Sequence, residues 1–163
     1  MSTFEDDRYQ WRETYFVLFP TARRPSTKAM REALKQLPSG FEDESVRGDD
    51  DGEFESATLY APDAFAAIDV AYVCGEEVAE QIEELSGDVN RMVLNDAQKE
   101  KLKHLDECDA RFDVLHFEKV EREFDEEEEE MLDPSALLLV LARLAELTNG
   151  IAIDPQSGTF MAD

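Results

Sequence analysis

The chain has 163 residues, of which 40 are Asp or Glu and 16 are Lys or Arg, for a net charge of −24. That length fits one domain of ordinary size, and a hydrophobic share of 42% is enough for a core and too high for a disordered chain. Such a field repels nucleic-acid phosphates and anionic lipid and favours basic partners or divalent cations, so the expectation is no nucleic-acid partner and no membrane.

Acidity also keeps a protein soluble, and salt-adapted proteomes use it widely; Arg outnumbers Lys here, which fits that reading. No apolar run approaches the ~20 residues of a membrane span. The opening Met1-Ser2-Thr3-Phe4-Glu5-Asp6-Asp7 lacks the basic and apolar regions of a signal peptide. With Cys74 and Cys108 read as reduced thiols, the expected place is the cytoplasm.

Residues 1–12 read as a polar, extended lead-in. The β-rich run Thr14-Tyr15-Phe16-Val17-Leu18-Phe19, apolar on both faces and closed by Pro20, predicts a central strand. After a loop over 21–25, Ser26 or Thr27 caps a helix running to about Leu37, with Met30, Ala33, Leu34 and Leu37 on one face, and Pro38-Ser39-Gly40 ends it. Residues 42–55 are acidic, and Asp49-Asp50-Asp51-Gly52 supplies a hairpin turn. Residues 54–60 form a strand and Pro62-Asp63 a turn. Residues 66–73 fit either strand or helix; β-branched content and the following Gly75 favour strand.

An amphipathic helix spans 76–85, with Val78, Ile82 and Leu85 inward. Asn95 or Asp96 caps a second helix from Ala97 to about Glu107, and 112–120 is a largely buried strand containing His116. Residues 121–131 form a solvated acidic loop. Asp133-Pro134 then starts a helix over 136–147 that is almost wholly apolar, broken only by Arg143 and Glu146, and Asn149-Gly150 stops it. A helix apolar on nearly all sides is either sandwiched in a core, with Leu138 and Leu141 both buried, or shared with a second subunit. Short strands at 151–153 and 159–161 flank the turn Asp154-Pro155-Gln156-Ser157-Gly158.

The order β-α-β-β-α-α-β-α-β-β predicts a single α+β domain over 1–163 with a mostly antiparallel sheet, and its first half fits a split βαβ of ferredoxin type. The segment from Leu137-Leu138-Leu139-Val140-Leu141 through Leu147-Thr148-Asn149-Gly150-Ile151-Ala152-Ile153-Asp154 to Gly158 resembles the end of uncharacterised bacterial α+β domains. Those share an apolar helix, a Gly stop, a short strand and an Asp-x-x-x-Gly turn. The resemblance implies architecture and no activity.

Chemistry has few places to sit. Arg23, Arg24, Lys28 and Arg31 put four of the sixteen bases within nine residues, between a buried strand and a helix start. Helix N–H groups and Arg forks bind phosphate or carboxylate, so Arg23, Arg24, Ser26, Thr27 and Lys28 form a candidate anion site. The competing reading is that these bases pair with surface acids. His104 and Cys108 lie four apart, and His116 and Cys74 could join them, but without a Cys-x-x-Cys or paired-His motif the expectation is no metal. Aligning Gly52 with the sixth position of a calcium loop puts Arg47 first and Thr58 twelfth, which excludes an EF-hand. No nucleophile motif is present. The expectation is therefore a binding or regulatory domain without catalytic residues or cofactor, acting by protein–protein contact with another protein or a second copy. The alternatives are a sensor or enzyme for a small anion at Arg23 and Arg24, and an acidic mimic of nucleic acid.

Overall fold

A computed structural model describes residues 9–37, 42–61, 66–88, 95–119, 135–155 and 159–160. Strands β1 (Tyr9–Phe19), β2 (Glu42–Gly48), β3 (Phe54–Ala61), β4 (Ala66–Cys74), β5 (Ala110–Lys119), β6 (Ile151–Asp154) and β7 (Thr159–Phe160) join in one sheet of order β2-β3-β4-β5-β1-β6-β7. Helices α1 (Thr27–Lys35), α2 (Glu76–Asp88), α3 (Asp96–His104) and α4 (Ser135–Thr148) pack on it, an α+β fold as the residue pattern predicts. Every described strand pair is antiparallel. A split βαβ of ferredoxin type needs a parallel pair beside β1, and β1 instead lies between antiparallel β5 and β6. The ferredoxin-like expectation is therefore not met among the described strands.

The double-sided apolar run of β1 places it in the middle. Tyr15, Val17 and Phe19 face one core with Met30 and Leu34 of α1 and Leu137, Val140, Leu141 and Leu144 of α4. Phe16 and Leu18 face the other, with Val78 and Ile82 of α2 and Leu105. The result is helix, sheet and helix in three layers, with alternate side chains of each central strand feeding opposite cores. β1 starts at Tyr9, so residues 9–12 are strand and not lead-in. Register shifts between Trp11 and Glu13, and Arg12 is the extra residue of a bulge.

The 66–73 segment is strand, and β2 is a strand that the acid-rich composition concealed. The turns at 38–40 and 62–63, the acidic loop at 121–131 and the Asp133-Pro134 start lie outside the described residues. So do residues 156–158 of the last turn.

Local chemistry fixes the helix ends. Ser26 Oγ accepts from Ala29 N–H at the start of α1 (3.1 Å). Asn95 and Gln98 form a reciprocal capping box at α3. At the end of α4, Asn149 takes the left-handed conformation (φ 52°) and Gly150 N–H donates back to Ala145 O at 2.8 Å. A Cβ on Gly150 would stand 2.5 Å from Leu18 O, so the glycine lets α4 turn directly against β1. Arg143 Nε donates to Ala33 O (3.1 Å), closing the C-terminal end of α1 against α4. The inward side of α4 is Ala136, Leu137, Val140, Leu141, Leu144 and Thr148. Leu138, expected in the core, is 39% exposed and its neighbour Leu139 41%.

Candidate functional site

The basic cluster begins where β1 ends. A short 3-10 turn (Thr21–Arg23) follows Pro20, pinned by Thr21 N–H donating to Asp109 Oδ1 at 2.6 Å; the Thr21 side chain first, and then its N–H, hold the Asp109 carboxyl below its ordinary pKa. Arg23 and Lys28 are exposed. Arg24 turns inward. Its Nε and Nη2 both donate to Phe54 O, at 3.0 and 2.9 Å, Nη2 lies 3.3 Å from Asp49 Oδ2, and the guanidinium stands 4.1 Å over the Tyr72 ring. Burial, with smaller contributions from Cys74, pushes the Tyr72 hydroxyl up to about 12.

The helix start beside it is similarly engaged. Thr27 N–H and Oγ1 both donate to Gly52 O, at 2.9 and 3.2 Å, and Ser26 Oγ is taken by Ala29 N–H. Asp49 completes the unit: its Oδ1 accepts from Asp51 and Glu53 N–H, both at 3.0 Å. These backbone donors, Glu53 first, and then Arg24 hold the Asp49 carboxyl below the usual range. Gly52 supplies the positive φ of 81°, and a Cβ on Gly48 would overlap Thr27 Cγ2 at 2.3 Å. The structure thus sets Arg24 and Thr27 against the 49–54 turn, with Ser26 between them capping α1. Arg31, on the same helix, donates to Val46 O at 3.3 Å.

The metal candidates stay apart. His104 ties two helix ends together, Nδ1 to Glu107 Oε2 at 2.8 Å and Nε2 to Asn149 O at 3.1 Å. Cys108 is buried, its thiol pushed up to about 12 by burial and then by Asp109 and Glu107, and it donates to His104 O. Cys74 is exposed and His116 lies in the other core. Among the described residues no three potential ligands form a metal-holding group.

His116 is the feature that residue patterns did not supply. The strand placement predicts burial, and the ring is 0% exposed, but neither Nδ1 nor Nε2 has a hydrogen-bond partner. It stands opposite Glu13 of β1 and Ile68 of β4, with Glu13 Oε1 3.7 Å from Nδ1. The other carboxylate oxygen accepts from Tyr15 Oη at 2.5 Å. Burial holds the His116 pKa below its ordinary 6.5 despite Glu13, and burial and then Glu13 hold the Tyr15 hydroxyl well above its own.

Two surface features remain. An open cleft of about 370 Å³ lies between α2 and strands β4 and β5, with Glu77, Glu80 and Glu84 on its helical side and Arg111 opposite. Its lining includes none of residues 23–31. On α4, Leu138, Leu139 and Ala142 share an exposed face. No described helix is long and apolar enough to cross a membrane. Comparison of the chain with models of protein families, with curated proteins and with solved structures gives no match.

Proposed function

We propose that the chain is a binding domain that acts by protein–protein contact through the outward face of α4, and that its partner there is a second copy of itself. The observation that carries this is the pair Leu138 and Leu139, both about two-fifths exposed on a helix whose other face fills the core. Large apolar side chains side by side on a surface mark contact sites better than scattered ones. The choice of a second copy rests on charge. Two chains of net −24 repel, so they can meet only where acids are sparse. α4 carries one acid and one base, Glu146 and Arg143, and these pair with each other at 3.1 Å. Twofold pairing of one such patch is the commonest assembly of soluble proteins.

The remaining expectations fit this reading: a cytoplasmic protein with Cys74 and Cys108 as free thiols, and no nucleic-acid partner because the field opposes phosphate. The anion-sensor alternative requires Arg24 to leave Phe54, Asp49 and Tyr72, and draws no support from their geometry. The test is sedimentation of the wild type and of Leu139→Glu over a range of salt. The wild type should associate, more strongly as salt screens the repulsion, while Leu139→Glu should remain a monomer with an unchanged Tm. A wild type that stays monomeric at every salt concentration overturns the second-copy reading.

A further inference from the structure

We infer that His116, Glu13 and Tyr15 form a proton-operated latch: uptake of a proton by His116 loosens the end of the β1–β5 ribbon beyond the Arg12 bulge. A neutral imidazole with no hydrogen bond is already an unusual occupant of a core, because burying an unmet polar group costs free energy. A proton from water turns it into a buried cation, which costs far more unless it is paired.

Among the described residues the groups able to answer that charge are few. β1 offers Glu13, with its nearer oxygen at 3.7 Å, outside hydrogen-bond reach, and its other oxygen held by Tyr15. Tyr15 keeps its proton and acts as a donor to the carboxylate, so it adds no negative charge. β5 offers Glu118, already 3.4 Å from Arg12. Arg12 itself opposes the new charge. β4 presents Ile68. At this end of the sheet α4 places Ala136 against Ala61 and Ala66, and the helix is uncharged from Ala136 to Ala142.

The cation is therefore relieved by reaching Glu13 and water together. Glu13 is the route outward, since its side chain is 41% exposed while the ring is sealed. The bulge at Arg12 supplies the slack. Beyond it, among the described residues, Tyr9↔Lys119, Gln10↔Glu118 and Trp11↔Phe117 continue the ladder between β1 and β5, whereas the ladder from Glu13 to Phe19 runs without a break. Trp11, at 42% exposed, adds little burial to hold that end shut.

The sign follows from linkage. The closed state holds the ring below its ordinary 6.5 and the opened state restores that value, so closure is fully favoured above 6.5 and weakens as pH falls below it. In the closed state Glu13 raises the ring's proton affinity, so Glu13→Gln should lower that affinity further and deepen the loss of closure below 6.5.

The experiment is amide hydrogen exchange on the full chain, corrected for its intrinsic pH dependence, from above neutral pH down to about pH 5, where histidine titrates and ordinary carboxylates largely do not. Protection over residues 9–13, whose described partner strand is β5, should fall by up to about tenfold per pH unit below the ring's ordinary value, as expected for uptake of one proton. Residues 16–18 and 112–114 should keep theirs. His116→Leu should remove the pH dependence, and Glu13→Gln should deepen it. Unchanged protection at the ribbon end in the wild type, or the same loss in His116→Leu, overturns the proposal. The wild-type measurement decides alone if either variant fails to fold.

Discussion

The two polar corners of this sheet are built on opposite terms. At the start of α1, Arg24 meets a carbonyl, a carboxylate and an aromatic face, Thr27 and Asp49 close onto backbone groups of the 49–54 turn, and Ser26 caps the helix itself. At the Glu13 end of β1, His116 is sealed more completely and meets no hydrogen-bond partner. The α1 corner has the sequence of a functional site because it concentrates bases, yet Arg24 fastens the β2–β3 turn to the start of the helix. The His116 corner has the sequence of plain core, yet it holds a titratable group whose charge the core cannot accept. A site is better sought where polar demand goes unmet than where charge is dense.

The scale for testing this contrast comes from α4. Leu141 is fully buried, so Leu141→Ala should cost about 2–5 kcal/mol in equilibrium unfolding. Leu138→Ala, on the outward side, should cost about 1 kcal/mol or less. Equal losses at both positions would mean that α4 is sandwiched on all sides. Next comes Arg24→Lys. A lysine keeps the charge near Asp49 but cannot offer two donors to Phe54 O or stack on Tyr72, so about 1–2 kcal/mol should be lost. An unchanged stability would show that the fork contributes nothing and would erase the contrast. The smallest effect belongs to His116→Leu. Replacing an unpaired buried ring with an apolar side chain should leave stability at neutral pH within about 1 kcal/mol of the parent. A loss near that of Leu141→Ala would reveal a hydrogen bond to His116.

Much of the fold is legible in local pattern. The double-sided run at 14–19, the Ser26 and Asn95 caps, the Asp49–Gly52 turn and the Asn149-Gly150 stop all act within a few residues of where they are written. The failures share a physical cause, which is that the deciding neighbour is distant or the local pattern is silent. Tyr9, Gln10 and Trp11 join β1 because β5 pairs with them, not because they are apolar. β2 is an acid-rich strand at the sheet's edge, where no two-sided burial marks the sequence. Leu138 is hard to place because a helix with only two charged residues has no polar stripe to set its phase. The run of bases at 23–31 is legible in the sequence, but Arg24's engagement is not, because its partners Asp49, Phe54 and Tyr72 lie 25 or more residues on. For His116 the strand pattern implies burial, but whether its nitrogens are met depends on Glu13, about a hundred residues away in sequence and 3.7 Å away in space.

The division between a fastening corner and an unmet one is tested most directly by the Tm of Arg24→Glu. The substitution removes the fork and places an acid beside Asp49, so the domain should lose about 2 kcal/mol or more and melt several degrees below the parent, as expected for about 2–4 °C per kcal/mol at this size. A Tm equal to that of the parent, accompanied by loss of phosphate binding that the parent displays, would contradict the account and return Arg24 to the role of ligand-binding residue.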